Sequence, residues 1–224
     1  MLAQDITIYL DDLGAATLDP ADADNGTTDN CTDPSNLILT TSQTAFSCAD
    51  VGTNNIYLRA EDESANIDSV QFTLTVSDTI QPVVACQNYT AYIGAAGTVV
   101  VDAADLDDGS TDNCTAPGDL VFSLSQNTFD CADVGSPQNV TLSVEDESGN
   151  TANCGAVITV LDTTPPVAVA KDITVVLDAA GNATLVPTDL DNGSSDNCSI
   201  VTYTADITSF TCDDQGLVAV TLTV

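Results

Sequence analysis

The sequence predicts an all-β chain built from tandem β-sandwich domains, and three observations support this fold class. A ten-residue segment that ends in cysteine occurs three times, and its final residues Cys31, Cys114 and Cys198 are 83 and 84 residues apart. Between these segments, short runs alternate apolar and polar residues, which is the pattern of strands with one buried face. Turn residues separate the runs, and no helical period is present. Each copy therefore predicts about seven short strands.

The period divides the chain into three repeats with short joints between them. We expect repeat 1 to cover residues 1–78, repeat 2 residues 79–162 and repeat 3 residues 163–224. The joints, residues 78–82 and 162–166, contain proline, so we expect them to be stiff. Tandem domains with stiff joints would form a rod.

Repeat 3 is shorter than the other two. Residues 220–224 align with residues 140–144, so the second acidic tract and the last strand have no counterpart in repeat 3. Two explanations remain open. The sequence is an excerpt of a longer protein, or another subunit donates the missing strand.

The strands follow in chain order from the alternation of apolar and polar residues. Val140, Leu142 and Val144 alternate with Thr141 and Ser143, so we assign the apolar set to the core. Short strands separated by turns in this way are typical of an immunoglobulin-like β-sandwich. The predicted strands are residues 5–10, 16–18, 37–40, 46–48, 55–58 and 70–76 in repeat 1, and residues 88–93, 98–101, 120–124, 129–131, 139–144 and 156–160 in repeat 2.

The chain is strongly acidic. Its formal net charge is −32, it has no histidine, and its basic residues are Arg59 and Lys171. Self-repulsion of this size destabilises a compact state unless cations or salt offset it. Bound divalent cations are the favoured explanation, because the acidic residues cluster at fixed positions in each repeat; a halophilic surface solvated by salt is the alternative. We expect no nucleic-acid partner and no membrane insertion, since anionic surfaces would repel the chain.

The cysteines indicate disulfides rather than a zinc site, because histidine and the Cys-x-x-Cys pattern are absent. Equal spacing favours three equivalent bridges within the repeats. These predicted bridges are Cys31–Cys48, Cys114–Cys131 and Cys198–Cys212. We also expect a bridge between Cys86 and Cys154, because apolar residues, Ala3 and Val70, replace both of them in repeat 1. A paired change of this kind indicates contact between the first and last strands, and buried free thiols are the alternative.

The recurring segment has the composition of a site for a hard cation. In repeat 2 it reads Asp-Leu-Asp-Asp-Gly-Ser-Thr-Asp-Asn-Cys from Asp105 to Cys114. Ca²⁺ takes about six to eight oxygen ligands of this kind, whereas Mg²⁺ prefers fewer protein ligands. The segment is not an EF-hand, because no glutamate occupies its twelfth position. We therefore predict Ca²⁺ as the cofactor, with loops held by Asx turns alone as the alternative.

The sandwich topology predicts where these acidic groups meet. The acidic loop and the tract at residues 145–150 should lie at the same end of repeat 2, beside the joint that carries Asp78. An ion that clamps two neighbouring domains is therefore our hypothesis, and an ion held within one domain is its main rival. The predicted metal ligands are Asp22, Asp24, Asp29, Glu61 and Asp62 in repeat 1, Asp78, Asp105, Asp107, Asp112, Glu145 and Asp146 at the first joint, and Asp162 facing Asp189, Asp191 and Asp196 at the second.

Two further segments resemble a known repeat. Asp-Thr-Thr-Pro-Pro-Val at residues 162–167 and Asp-Glu-Ser-Gly-Asn-Thr-Ala-Asn-Cys at residues 146–154 resemble the hyalin-repeat (HYR) family and its immunoglobulin-like relatives. The acidic segment is similar to repeats of giant extracellular adhesins and surface filament proteins of gliding and marine bacteria. The resemblance implies an extracellular spacer or adhesive module. The sequence departs from the HYR pattern at Gln87, where a proline is usual.

These observations predict a structural segment of an extracellular fibre or adhesin stalk at the cell surface. Ca²⁺ in the acidic loops near the domain junctions and disulfides within the domains would make it rigid. Its expected partners are further copies of the repeat in a longer chain, with self-assembly into a fibre as an extension. The alternative is a carbohydrate- or surface-binding adhesin module. We expect no enzyme, because triplicated acidic groups without histidine leave no pair with distinct acid and base roles.

Overall fold

The computed structural model describes residues 1–200 and 202–224, and it confirms the all-β fold class. Among the described residues, only Pro20–Ala23 form an α-helix, a single turn capped by the side chain of Asp19, which accepts the amide of Ala21. The remaining regular structure consists of strands and short 3-10 helices. No helix in the described ranges is long and apolar enough to cross a membrane.

Repeat 1 contains six strands in two sheets. They are β1 (Ile6–Tyr9), β2 (Ala15–Thr17), β3 (Ile38–Thr41), β4 (Ala45–Ser47), β5 (Gly52–Glu61) and β6 (Ile67–Ser77). The larger sheet has the order β1-β6-β5-β3, in which β1 and β6 are parallel and the other neighbours are antiparallel. The smaller sheet pairs β2 with β4. The first and last strands of the repeat are therefore adjacent.

The core of repeat 1 follows from the alternation along β6. Phe72, Leu74 and Val76 are buried, and they pack with Ile56 and Leu58 of β5 in one hydrophobic cluster. Alternate side chains of a strand point to opposite faces, so the polar residues between them face outward.

Repeat 2 has the same arrangement. Its strands are β7 (Tyr89–Tyr92), β8 (Thr98–Val100), β9 (Val121–Leu124), β10 (Thr128–Asp130), β11 (Pro137–Glu145) and β12 (Thr151–Leu161). The larger sheet has the order β7-β12-β11-β9, again with the first and last strands parallel, and β8 pairs with β10. The predicted core residues Val140, Leu142 and Val144 are buried.

Repeat 3 contains four short strands among its described residues. They are β13 (Ala183–Thr184), β14 (Thr204–Ala205), β15 (Ser209–Phe210) and β16 (Leu222–Thr223), paired as β13-β15 and β14-β16. Residues 172–177, which align with β7, form no strand. The sequence has no counterpart of β12 with which they could pair. A groove of about 1000 Å³ lies beside them and is lined by Leu185, Leu190 and Phe210 among others.

The described residues divide into two compact units. Unit 1 comprises Met1–Gln87, Leu106–Ser125 and Thr141–Gly155, and unit 2 comprises Asn88–Asp105, Gln126–Val140 and Ala156–Val224. Unit 1 contains the first joint with Asp78, and unit 2 contains the second joint with Asp162. The repeat boundaries at residues 78 and 162 stay a prediction.

The disulfides revise the predicted pairing. The structure joins Cys86 to Cys154, which is the pair inferred from the paired change in repeat 1. The other three predicted pairs, Cys31–Cys48, Cys114–Cys131 and Cys198–Cys212, are wrong. Cys48 bonds to Cys114 and Cys131 bonds to Cys198, while Cys31 and Cys212 are free and exposed. Two of the bridges therefore connect successive repeats.

The length of β5 explains why Cys31 does not reach Cys48. Cys48 begins the 3-10 helix Cys48–Asp50, which directly precedes β5. The loop of Cys31 lies at the other end of that strand, because Thr32 Oγ1 accepts the amide of Glu63. A strand of 10 residues spans about 30 Å, whereas a disulfide requires Cα atoms within about 7 Å.

Candidate metal centre

The first half of each acidic loop is a turn held by its own carboxylate. Asp107 accepts the amides of Gly109 at 3.2 Å and Ser110 at 3.0 Å. Asp24 and Asp191 form the same turn in repeats 1 and 3. In Asp191, hydrogen bonds from the side chain and the amide of the following serine hold the pKa below its ordinary value of 3.8. The Asx-turn alternative therefore accounts for these three aspartates.

A buried serine fixes the loop of repeat 2 to the segment that follows the joint. Ser110 is 1% exposed, and its Oγ accepts the amide of Ala85 at 3.1 Å and donates to the carbonyl of the same residue at 3.3 Å. Backbone bridges between Val83 and Thr111 and between Cys86 and Asp107 flank this contact. The loop is thus held on both sides against the chain that leaves Asp78.

Three carboxylates converge at the first joint. Asp78 directly follows β6, Asp146 directly follows β11, and Asp112 lies in the acidic loop. One carboxylate oxygen of each lies within 4.8 Å of the other two. Asp78 is 4% exposed and Asp146 is 3% exposed. By the predicted boundaries, the first belongs to repeat 1 and the other two to repeat 2.

Local hydrogen bonds orient the carboxylates. Asp112 Oδ2 accepts the amides of Cys114 and Thr115, each at 2.9 Å. Asp146 accepts the amide of Asn150 at 2.7 Å and its Nδ2 at 2.8 Å. These bonds use one oxygen of Asp112 and both oxygens of Asp146, so the side chains are held in place before any ligand is considered.

Two acceptor atoms at this joint have no hydrogen-bond partner. Asn113 Nδ2 donates to Asp78 Oδ1 at 3.3 Å, which leaves its Oδ1 as a buried acceptor. Asp112 Oδ1 is buried in the same way. A buried polar atom without a partner is costly and is rare in folded proteins. A cation would satisfy both atoms.

The donor set fits Ca²⁺. It consists of carboxylate oxygens and one amide oxygen, which are the ligands that this ion prefers. Ligands on opposite sides of a Ca²⁺ ion are about 5 Å apart, so oxygens within 4.8 Å of one another suit a shared ion. The residues that would hold it are Asp78, Asp112, Asn113 and Asp146.

The second joint repeats most of this arrangement. Asn197 Nδ2 donates to Asp162 Oδ1 at 3.1 Å, and Asp196 Oδ2 accepts the amide of Cys198 at 3.2 Å. Asp196 Oδ1 and Asn197 Oδ1 are again buried without a partner. The given sequence has no residue that aligns with Asp146, so this joint has two carboxylates rather than three.

Repeat 1 carries two of the corresponding carboxylates. Asp29 accepts the amides of Cys31 and Thr32, and these bonds hold its pKa below the ordinary value. Asp62 accepts the side chain and the amide of Asn66, which lowers its pKa although the charge of Asp29 opposes the shift. The pair therefore corresponds to Asp112 and Asp146 without a third carboxylate.

The remaining predicted ligands lie outside the group of three. The carboxylate of Asp105 acts on Tyr89, whose pKa it raises. Glu61 pairs with Arg59 at 2.7 Å. Asp22, Glu145 and Asp189 are exposed. Sequence reasoning missed Asn113, although the recurrence of asparagine before each loop cysteine was a usable signal.

Comparisons with known proteins give no family. No family model matches this chain, and a search of curated proteins finds no match. The HYR resemblance therefore stays a prediction.

Solved structures with some likeness are tandem extracellular domains. Extracellular cadherin domains 1–4 of protocadherin gamma B7 match at 11% identity over 91% of this chain, with a TM-score of 0.31. Human protocadherin-24 EC1-2 matches at 11% identity over 72% of this chain and 96% of its own, with a TM-score of 0.36. Fibronectin(III)-like modules of Clostridium thermocellum CbhA match at 12% identity, covering 61% of this chain and 83% of theirs, with a TM-score of 0.26.

These matches are distant. The chain spans 62% of the protocadherin gamma B7 structure. All three TM-scores lie well below 0.5, so nothing about function is carried over from these proteins.

Proposed function

We propose that this chain is a structural segment of an extracellular fibre or adhesin stalk in which Ca²⁺ and a disulfide together fix the joints between successive repeats. The observation that carries the proposal is the convergence of Asp78, Asp112 and Asp146 within 4.8 Å, next to the unpartnered oxygens of Asp112 and Asn113. The disulfides act between repeats, not within the domains as the sequence suggested.

Electrostatics supports a cation at the first joint. At an effective dielectric constant of about 20, two ionised carboxylate oxygens 4.8 Å apart repel by roughly 3 kcal/mol. The chain has 34 acidic and 2 basic residues, so salt bridges cannot offset this repulsion. A divalent cation would convert the same crowding into attraction.

The joint also has a covalent connection. Cys48 and Cys114 have Cα atoms 5.1 Å apart, and Asn113 Nδ2 donates to the carbonyl of Asp11 at 3.3 Å. A bridge from one repeat to the next, combined with an ion whose ligands come from both sides of the boundary, would resist bending. Resistance to bending is the property that a stalk requires.

Disulfides support the extracellular location. Three bridges in one chain are typical of proteins that fold in an oxidising compartment. The recurrence of the same joint supports further copies of the repeat as the partners of this segment. The carbohydrate-binding alternative stays a prediction, since no feature of the described residues favours it.

A calcium titration followed by thermal unfolding tests the proposal. Ligand that binds only the folded state at about 100 times its Kd stabilises that state by about 2.7 kcal/mol. We expect Ca²⁺ to raise the melting temperature, EDTA to reverse the effect, and NaCl of equal ionic strength to reproduce little of it. An equal effect of NaCl would favour the halophilic surface instead.

A matched pair of variants locates the ion. Asp112→Asn removes one predicted ligand, and Asp119→Asn removes the same charge from an exposed position of the same loop. We expect the first variant to lose most of the calcium-dependent stabilisation and the second to keep it. Equal responses of the two variants would place the ion elsewhere and contradict the proposal.

A further inference from the structure

Two cysteines are unbonded although their counterparts in other repeats form bridges. The loop cysteines, each at the end of an acidic segment, are Cys31, Cys114 and Cys198, and the helix cysteines, each at the start of a 3-10 helix, are Cys48, Cys131 and Cys212. Each bridge between repeats joins a helix cysteine to the loop cysteine of the following repeat. The series therefore has one open loop cysteine, Cys31, and one open helix cysteine, Cys212, and both are exposed.

The helix side of Cys212 has the geometry of the bonded positions. Its Sγ lies 3.8 Å from the carbonyl oxygen of Gly181, and the bonded Cys131 Sγ lies 3.5 Å from that of Gly97. Both glycines close a turn with positive φ, at +79° and +73°. A Cβ on Gly181 would lie 2.6 Å from Cys212 Sγ, so this glycine makes room for the thiol.

The loop side of Cys31 is also preformed. Asp29 Oδ2 accepts the amides of Cys31 at 2.8 Å and Thr32 at 2.9 Å. In repeat 2, Asp112 Oδ2 accepts the amides of the bonded Cys114 and of its neighbour at 2.9 Å. The unbonded loop cysteine is therefore presented by the same local hydrogen bonds as a bonded one.

A second contact accompanies each bridge. Asn113 Nδ2 donates to the carbonyl of Asp11 at 3.3 Å, and Asn197 Nδ2 donates to that of Gly94 at 3.3 Å. Each acceptor begins the turn that the helix cysteine packs against. The corresponding acceptor beside Cys212 is the carbonyl of Asp178, which already accepts the amide of Gly181 at 3.0 Å, and the corresponding donor beside Cys31 is the side chain of Asn30.

We propose that copies of this chain join head to tail through a disulfide between Cys212 of one copy and Cys31 of the next. The occupant of the exposed helix-cysteine surface is thus the acidic loop of a second copy. A low-molecular-weight disulfide such as oxidised glutathione supplies the oxidant. One protein thiolate attacks it and releases a first glutathione, and the second protein thiolate then displaces the other glutathione, so two thiols are oxidised and one disulfide is reduced.

The proposal deepens the fibre function but does not depend on bound metal. The linking aspartates Asp78 and Asp162 belong to continuous chain between repeats, so a joint between copies would be covalent without a complete group of three carboxylates. Failure of calcium binding would therefore leave this proposal intact, and failure of chain joining would leave the metal site intact.

Complementary variants test the proposal on the full chain. Cys31→Ser retains the open helix cysteine, and Cys212→Ser retains the open loop cysteine. After incubation with oxidised glutathione, we expect the unaltered chain to give a ladder of multimers on a non-reducing gel. Each variant alone should stay monomeric, and an equimolar mixture should give dimers and nothing longer.

Mass spectrometry of the dimer should identify the Cys31–Cys212 cross-linked peptide and intact Cys48–Cys114 and Cys131–Cys198 bridges. Homodimers of either variant that form as fast as the mixed dimer would overturn the proposal, because they would indicate unselective thiols. A monomer without free thiols would also overturn it, because the two cysteines would then have paired within one chain.

A non-cysteine variant separates recognition from thiol chemistry. Asn30→Ala removes the predicted donor to the carbonyl of Asp178 and should slow dimer formation about five-fold, the effect of one hydrogen bond. Asn25→Ala, an exposed asparagine earlier in the same loop, is the control and should leave the rate unchanged. Equal rates in both variants would show that the loop does not recognise the second copy.

Discussion

The two joints of this chain share a design and differ in one carboxylate. Each has a linking aspartate that accepts an asparagine side chain, Asp78 from Asn113 and Asp162 from Asn197. Each has a bridge between repeats with Cα atoms 5.1 Å and 5.3 Å apart. The first joint adds Asp146, which directly follows β11. The difference shows that a full set of ligands needs the hairpin between the last two strands.

Restoring that hairpin should give the largest effect. A chain with residues 145–161 copied after Val224 would supply a counterpart of β12 and of Asp146 to repeat 3. Burial of the counterparts of Ala156, Ile158 and Val160 should stabilise the repeat by about 5 kcal/mol, since each buried apolar side chain of this size contributes about 1.5–3 kcal/mol. Calorimetry would measure the stability, and isothermal titration should show the calcium stoichiometry rise by one.

The control for the extended chain carries asparagine in place of the copied aspartate. It should keep the gain in stability and lose the additional calcium. If both extended chains bound the same number of ions, the third carboxylate would not be the feature that separates the two joints.

Removing the bridge at either joint should have the next largest effect. The bonded cysteines are 66 residues apart at the first joint and 67 at the second. Loops of that length correspond to about 4 kcal/mol of chain entropy each. We expect Cys48→Ser with Cys114→Ser, and Cys131→Ser with Cys198→Ser, to lower the free energy of unfolding in urea by that amount. Cys31→Ser, which breaks no bridge, should change it little.

Calcium should distinguish these two double variants. At saturating Ca²⁺, the variant of the first joint keeps its three carboxylates and should recover more stability than the variant of the second joint. Equal recovery would mean that the ion does not act at the joint with Asp146.

The fold was predictable from local pattern, whereas the disulfide pairing was not. Alternation along residues 140–144 is sufficient to assign their core face, because a strand has only two faces. The cysteine spacings contain no such restriction. Separations of 66 and 67 residues are as regular as those of 17 residues within the repeats, and the length of β5 decides between them. The paired change at Cys86 and Cys154 succeeded because it reports a contact rather than a spacing.

The candidate site was predictable in part for a similar reason. Topology placed Asp112 and Asp146 beside Asp78, because loops at one end of a sandwich must be neighbours. It also grouped Asp107 with them, but that carboxylate is used by amides two and three residues further along the chain. Competition between a local turn and a distant ligand depends on backbone angles, which the residue types alone do not specify.

Glycines at the turns allow a smaller test of the second joint. Gly97 has a φ of +73°, and a Cβ there would lie 2.8 Å from the carbonyl oxygen of Asn197 and 3.3 Å from Cys131 Sγ. Gly135 has a φ of +78° and open space around its Cα. Alanine at a positive φ costs about 1–2 kcal/mol. We expect Gly97→Ala to lose more than Gly135→Ala, by about 1 kcal/mol, in the thermal stability of the chain.

The smallest expected effect is the acid sensitivity of repeat 1, where two carboxylates meet without a third. Hydrogen bonds from the side chain and amide of Asn66 lower the pKa of Asp62 below its ordinary value of 3.8. A group with a lowered folded-state pKa contributes stability that is present above its unfolded value and is lost as pH falls through the folded value. In EDTA, the melting temperature should therefore fall as the pH drops below about 4, and Asp62→Asn should reduce that fall. Asp119→Asn controls for the loss of one negative charge, and an identical pH profile for both variants would refute the role of Asp62.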